Sequence, residues 1–265
     1  MVSKSKDVVV KKENLPALAS TFEELDDMGF ETATADSFAI PFLAILQSNS
    51  PQVKKTSGSY IDGASEGMLL NTVQNKTLEG EKDGVLVIPC AYRQGFVEWI
   101  PRDSGGGFVT EYDASAAPAT TRDDDNRDVL PNGNELIDTR YHSVLLVNED
   151  GTASPIVIAM TRTQVKKSKR WMSLMQDIRF PKSDGSGTYT PPMFSHVYRL
   201  KVVPEQKDEY SWWNWDISKE YMIEDGSLVA QAKKFHDAIM AGKIREATDS
   251  QRTAVGDDTE AGPEF

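Results

Sequence analysis

The chain is poor in cysteine and has no long hydrophobic run. Cys90 is the single cysteine among 265 residues, which excludes an internal disulfide and a cysteine-based zinc cluster. It lies in the apolar run 85–91, which predicts a buried thiol in a reducing cytoplasm. No stretch of about eighteen apolar residues occurs, and residues 1–13 lack an apolar signal-peptide core. We therefore expect a cytoplasmic protein that neither spans a membrane nor is exported.

Positive charge is also scarce. The sequence has 29 lysines and arginines against 41 acids, a formal net charge of −12. The last thirteen residues contain four of these acids and no basic residue, so the rest of the chain is acidic too. This balance argues against nonspecific binding of duplex DNA. A nucleic-acid-binding protein with this charge must concentrate its cations on one face.

The usual catalytic motifs are missing. The chain contains no phosphate-binding Walker loop and no Gly-x-Ser-x-Gly elbow. The histidines His142, His196 and His236 are isolated in sequence, which favours packing over metal ligation. We therefore expect no enzyme activity, no cofactor and no metal. The best catalytic alternative is a metal-dependent nuclease that uses acids from residues 123–128 together with Glu205-Gln206-Lys207.

Apolar runs of strand length dominate the middle of the chain. They are separated by turn dipeptides, of which Asp150-Gly151 joins two apolar runs in a hairpin pattern. The remaining turn dipeptides are Asp83-Gly84 and Asn132-Gly133. The predicted strands are residues 68–73, 85–92, 96–100, 141–147, 155–160, 193–203 and 210–217.

Three segments have helical spacing, residues 36–47, 161–180 and 227–240, and the last ends at Gly242 in the manner of a glycine stop. Residues 102–136 are polar and predict one long mobile loop. The pattern predicts an α+β, mainly β fold, an elaborated OB-like antiparallel barrel with flanking helices, although another α+β sheet would fit it equally. Residues 21–246 form the predicted domain, residues 1–20 a flexible arm and residues 247–265 a disordered acidic tail.

A basic segment supplies the cations that the acidic chain otherwise lacks. On a helix, Arg162, Lys166, Lys169 and Arg170 share one side, opposite the apolar residues, and Trp171 lies beside them. Lys167 belongs to the same run. These six residues are predicted to contact DNA, with lysine and arginine following the phosphates and Trp171 stacking on a base. A lysine-rich helix face is, alternatively, often only a solvated surface.

Aromatic residues with neighbouring cations complete the predicted DNA-binding set. The run around residues 92–99 contributes Tyr92, Arg93, Phe96 and Trp99. Two-residue alternation places Arg199 and Lys201 on one face of a later strand. Alternation also separates Trp212 from Trp213 and Trp215, and Trp212 is the one assigned to DNA. Stacking on aromatic rings tolerates any base sequence, so the set predicts sequence-nonspecific binding of single strands.

The C-terminal tail predicts a second kind of contact. Residues 253–265 have too little apolar surface to fold alone and are therefore available to a partner. Acids surround a terminal aromatic side chain, which offers an anchor inside a negative field. The predicted partner-binding residues are Asp257, Asp258, Glu260, Glu264 and Phe265.

Together, the predicted β-barrel body, the inserted helix and the tail Asp257-Asp258-Thr259-Glu260-Ala261-Gly262-Pro263-Glu264-Phe265 resemble phage-encoded single-stranded DNA-binding proteins of the podovirus kind. The resemblance implies protection of single strands in the host cytoplasm during phage DNA replication and recombination. It also implies recruitment of replication or recombination proteins through the tail, with no cofactor. A homo-oligomer is compatible with it.

A second hypothesis treats the chain as an acidic phage interaction protein, a DNA mimic or host-factor binder. Such a protein would ignore DNA and bind a basic host protein instead.

Overall fold

The computed structural model describes residues 40–242, together with Met28, Gly29 and Glu31. It confirms an α+β fold that is mainly β, with a curled antiparallel half-barrel sheet and two helices, consistent with an OB-like fold. The strands are β1 Leu43–Ile45, β2 Leu69–Asn71, β3 Lys76–Leu78, β4 Val85–Ile100, β5 Gly107–Asp113, β6 Thr121–Arg122, β7 Asp128–Val129, β8 Glu135–Val147, β9 Ala153–Thr161, β10 Phe180–Pro181, β11 Thr188–Tyr189, β12 His196–Lys207 and β13 Tyr210–Met222. The helices are α1 Val165–Gln176 and α2 Gly226–Met240.

The largest sheet has eight strands. Its order is β13-β12-β4-β8-β7-β6, while β5 pairs with the far end of β4 and β9 pairs with β8. Strands β1, β2 and β3 form a separate sheet, and β10 pairs with β11. Ahead of β1, Phe42 forms a parallel bridge with Val157 of β9, which docks the first described segment against the large sheet.

The pairing of β4 with β8 runs from Leu86↔Val147 to Trp99↔Glu135, with one irregularity between Pro89 and Ala91. Cys90 is the extra residue of this bulge, and its carbonyl accepts a hydrogen bond from Nδ1 of His236 on α2 at 2.8 Å. An inserted residue reverses which side chains face each side of a sheet. Beyond the bulge, even-numbered residues of β4 therefore point to the side that odd-numbered ones occupied before it.

Two hydrophobic cores lie on opposite sides of the sheet. One contains Val87 of β4 and packs against Trp171 and Met175 of α1. The other contains Cys90 and packs against Phe235 of α2. Cys90 is fully buried, and burial raises the pKa of its thiol to about 12, so the prediction of a buried thiol is confirmed.

Two predicted segments were wrong where the structure describes them. Residues 40–47 of the predicted helix form a bridge and strand β1 instead. This segment is buried on both sides between β2 and β9, and a short apolar run of that kind has no periodicity that separates strand from helix. The predicted loop 102–136 contains β5, β6, β7 and the start of β8. Its strands are short and polar, so they lack the apolar alternation that would reveal them.

Other predictions are confirmed. The Asp150-Gly151 turn joins β8 to β9, and Gly151 has φ of 83°. Gly242 ends α2 with φ of 65°, and its N–H donates to the carbonyl of Ile239. Residues 85–92 and 96–100 are strand as predicted, but they belong to one continuous strand, β4, rather than to two. The predicted arm 1–20 and tail 247–265 lie outside the described residues.

Gly84 is expected to tolerate no side chain. It has φ of +62°, and an added Cβ would lie 2.2 Å from the carbonyl oxygen of Leu200. Gly84→Ala should lower the free energy of unfolding by about 2 to 5 kcal/mol, the sum of left-handed backbone cost and steric overlap. Urea denaturation measures this difference.

Gly133→Ala is the matched control, because Gly133 also has positive φ but its added Cβ meets nothing within 4 Å. It should lose only the backbone term of about 1 to 2 kcal/mol. Equal losses in the two variants would contradict the close contact at Gly84.

Candidate nucleic-acid interface

Helix α1 is held on the sheet by one buried side. The turn Arg162–Gln164 leads into it from β9, and Ser168, Trp171 and Met175 are its buried residues. Their spacing of three and four places all three on one face of the helix. The polar residues between them therefore face outward.

His142 of β8 contacts the buried face of α1 and holds the helix on the sheet. Its Nε2 lies 2.8 Å from Oγ of Ser168, and its ring stacks on the Trp171 ring with centroids 4.6 Å apart. Trp171 in turn meets Tyr198 of β12 edge-on at 5.7 Å. Burial, with a smaller contribution from the charge of Arg140, lowers the pKa of His142 to about 3. The imidazole is therefore neutral at physiological pH.

A groove of about 600 Å³ opens beside the outward face of α1. Four other parts of the sheet contribute its remaining walls: Phe96 from β4, Arg122 and Asp128 from β6 and β7, Asp138 from β8, and Glu205 with Trp212 from the β12–β13 hairpin. The lining residues are Phe96, Arg122, Asp128, Asp138, Arg162, Thr163, Val165, Lys166, Lys167, Lys169, Arg170, Glu205 and Trp212.

The groove lining carries six cations and three carboxylates. This excess of positive charge contrasts with the formal net charge of −12 for the whole chain. Concave surfaces lined by one sign of charge focus the electrostatic field and attract oppositely charged ligands. The groove is thus the basic face that the sequence led us to expect.

Carboxylates hold three of the groove cations in place. Arg162 pairs with Glu135 at 2.5 Å, and the same carboxylate also pairs with Arg127 at 3.0 Å. Lys167 pairs with Glu205 at 2.6 Å. Arg122 lies 3.4 Å from Asp128.

Glu205 is the most heavily engaged of these carboxylates. Its Oε2 accepts hydrogen bonds from Nδ2 of Asn214 at 2.7 Å and from Nε1 of Trp212 at 3.2 Å, in addition to the Lys167 pair. Burial alone would raise the pKa of Glu205, but the hydrogen bonds from Lys167 and Asn214 lower it below its ordinary value. The carboxylate is therefore ionised and fixes the Trp212 ring beside α1.

Lys169 and Arg170 differ from the paired cations. Both side chains are exposed, and within residues 40–242 neither joins an ion pair or a hydrogen bond. Lys166 is also exposed on the same helix. Lys169 and Arg170 can therefore bind an anion without first breaking an ion pair.

Of the predicted DNA-binding residues, the groove brings together Phe96, Trp212 and the five cations Arg162, Lys166, Lys167, Lys169 and Arg170. Trp171 does not line it. This ring is fully buried beneath the helix, so the expectation that it stacks on a base is wrong: its packing against His142 and Tyr198 leaves no accessible face.

The remaining predicted residues lie elsewhere. Arg93 pairs with Glu111 and sits 4.0 Å above the Tyr141 ring, and Trp99 packs edge-on against Phe108. Both belong to the α2 side of the sheet, because Cys90 shifts the alternation along β4. Tyr92 shares the side of Phe96, but it accepts a hydrogen bond from Arg140 and packs against His142.

Arg199 and Lys201 alternate with buried neighbours as predicted. Arg199 pairs with Glu220 at 2.8 Å, while Lys201 donates to the carbonyl of Lys82 at 2.7 Å. Neither residue lines the groove. The predicted partner-binding residues Asp257, Asp258, Glu260, Glu264 and Phe265 lie outside the described residues.

Sequence reasoning did not assign Arg122, Asp128 and Asp138 to the interface. The first two belong to the interval that was predicted to be a loop, and Asp138 precedes the apolar run that was predicted as a strand. The dense charge of residues 122–128 was the available signal. Only the pairing of β6 with β7 and of β7 with β8 brings these charges to the groove.

Several acids of the nuclease alternative are paired with cations. Asp123 and Asp125 both pair with Arg127, at 2.9 and 2.8 Å. In the part of the chain that the structure describes, no group of three or more histidine, cysteine, aspartate or glutamate side chains is arranged to hold a metal ion. Within the same residues, no helix has the length and apolarity needed to cross a membrane.

Residues 10–245 match the model of the Pam3 phage gp34-like protein family. The match covers most of the chain, so the protein belongs to this family and is a phage protein. No curated protein and no solved structure shows a significant match.

The buried His142 predicts an acid-sensitive fold. Its pKa of about 3 in the folded state lies below the ordinary value of 6.5, so the unfolded chain binds more protons between these values. Stability should therefore fall as the pH drops below 6.5. The contribution of His142 between pH 6.5 and 5.5 is about 1 kcal/mol.

His142→Gln, which keeps an acceptor for Ser168, should remove this part of the pH dependence. Urea denaturation of both proteins at pH 6.5 and 5.5 measures the change. Identical pH dependence in the wild type and the variant would show that His142 is not held neutral in the folded protein.

Proposed function

We propose that this phage protein binds single-stranded DNA without sequence preference, in the groove beside α1. Its role is to protect exposed strands during phage DNA replication and recombination. Binding and protection require no chemical step, so the proposal includes neither enzyme activity nor a cofactor. The observation that carries it is the concentration of six cations and two aromatic rings in one groove of an acidic chain.

The charge distribution suits a flexible single strand. Cations on α1 can follow a phosphate backbone, while the negative remainder of the surface repels other approaches. The unpaired Lys169 and Arg170 are the first candidates for phosphate contacts. Such contacts contribute affinity but do not read sequence.

The aromatic rings supply the second requirement. Phe96 and Trp212 both line the groove and are both only partly buried. Stacking of a base on an aromatic ring contributes about 1 to 3 kcal/mol and tolerates every base. An arrangement of this kind favours a strand with unpaired bases over a duplex, in which the base faces are already stacked.

The C-terminal tail is proposed to recruit replication or recombination proteins. Its acids and Phe265 offer such a partner charge and an aromatic anchor. The alternative role, a DNA mimic that binds a basic host protein, draws on the same acidic composition. The cation-lined groove favours DNA binding, since a mimic has no need of such a surface.

Reversing the two unpaired charges should weaken binding and its salt dependence. For Lys169→Glu/Arg170→Glu, the loss of two phosphate contacts reduces the magnitude of the slope of log K against log salt by about 1.4. Titration with oligo-dT at several salt concentrations measures both quantities.

Lys54→Glu/Lys55→Glu is the control for that variant. It produces the same charge change at two exposed lysines outside the groove lining. Its salt slope should equal that of the wild type. An equal loss of slope in both variants would contradict binding at α1 and indicate only a general charge effect.

Trp212 should report on DNA directly. Trp212→Phe keeps an aromatic ring but removes the indole, so the quenching of tryptophan fluorescence by poly-dT should largely disappear. Trp213→Phe is the control, because Trp213 packs against the core rather than lining the groove. Full quenching in Trp212→Phe would place the bases elsewhere.

A further inference from the structure

Glu205 occupies the position on Lys167 that an incoming phosphate would need. Its Oε1 lies 2.6 Å from Nζ of Lys167, the separation of a strong charge-assisted contact. Both side chains are partly exposed, at 30% and 23%. A phosphate in the groove can therefore reach this ammonium only in competition with the carboxylate.

The same carboxylate also holds the aromatic wall. Its Oε2 accepts from Nε1 of Trp212 and from Nδ2 of Asn214. Glu205 and Trp212 are a directly opposed pair of the β12–β13 ladder, so the hydrogen bond is local to this hairpin. The Lys167 pair instead crosses from the hairpin to α1, so Glu205 links the stacking ring to the basic helix.

We propose that, in the DNA-free protein, Glu205 occupies the position on Lys167 that a DNA phosphate takes in the complex. Glu205 is thus a positioning residue that keeps Lys167 and Trp212 in the arrangement they have when DNA is bound. This role rests on the proposed function. When DNA binds, a phosphate oxygen replaces the carboxylate on Lys167, and no covalent bond changes. The displaced carboxylate is left close to a polyanion and takes up a counterion, so the exchange lowers both the net affinity for DNA and the dependence of that affinity on salt.

Arg162 and Arg122 also pair with carboxylates, but those carboxylates fit the role proposed for Glu205 less well. Glu135 bonds two arginines at once, Arg162 and Arg127, and is only 13% exposed. The Arg122–Asp128 pair is looser, at 3.4 Å, and lies outside α1. Glu205 is the carboxylate that joins a groove cation to a groove aromatic.

The test is Glu205→Gln, which keeps the size of the side chain and its ability to accept from Trp212 but removes the charge. We expect binding of oligo-dT at low salt to tighten by about two- to fivefold. The magnitude of the salt slope should rise by about 0.7, since one more phosphate contact forms without competition. A purely structural role would weaken binding and leave the slope unchanged.

Glu209→Gln is the matched control, because Glu209 is exposed at the tip of the same hairpin and forms no ion pair within residues 40–242. It should leave the slope unchanged. The double variant Lys167→Gln/Glu205→Gln completes the comparison. It should lose the tighter binding and the larger salt slope of Glu205→Gln, since the cation that the phosphate would contact is gone.

The outcomes separate the two claims. If the wild type binds oligo-dT and Glu205→Gln does not raise the slope above that of Glu209→Gln, the role of Glu205 is overturned while the proposed function stands. If none of the folded proteins binds oligo-dT, the proposed function fails and this role fails with it. Circular dichroism melting confirms that each variant is folded before titration.

Discussion

The antiparallel pairing of β4 with β8 is the constraint on which the rest of the structure depends. These two strands pair along nearly the whole length of β8, and β5, β7, β9 and β12 all pair with one or the other. The single extra residue, Cys90, reverses the alternation in the middle of β4. Because of this reversal, Phe96 faces α1 and the groove, whereas Val97 joins the core beneath α2. One inserted residue thus decides which half of an aromatic cluster can reach a ligand.

The groove depends on that framework for both its shape and its charge. The buried stack of His142, Trp171 and Tyr198 fixes α1 on the sheet, so its cations project in a defined direction. Carboxylates from neighbouring strands then hold Arg162, Arg122 and Lys167 across the gaps between elements. Partly exposed pairs of this kind contribute modestly to stability. Their larger effect is to arrange cations on a concave surface before any ligand binds.

Much of the fold could be predicted from the sequence because its signals are local. The Asp150-Gly151 hairpin and the Gly242 stop follow from the backbone freedom of glycine, and α1 and α2 follow from helical periodicity. Residues 40–47 could not be assigned, since burial on both sides removes periodicity from β1. The short strands within residues 102–136 are stabilised by pairing rather than by their own composition.

Part of the candidate site could also be predicted, because some of its residues give local signals in the sequence. The basic run on α1 is visible in the sequence, and so are Phe96 and Trp212. The error at Trp171 arose because adjacency in sequence does not show which side of a helix is buried. Two-residue alternation already separates Arg93 and Trp99 from Phe96, but the bulge decides which of them faces α1, and the bulge has no signal of its own in the sequence. Arg122, Asp128 and Glu205 reach the groove only through long-range strand pairing.

The central claim is that a single strand lies in the groove beside α1. Hydrogen exchange with and without oligo-dT tests it most directly. The account predicts slower amide exchange in α1 and the β12–β13 hairpin on adding DNA, with no change in α2 on the opposite side of the sheet. Protection confined to α2, or no protection anywhere in the folded domain, would contradict it.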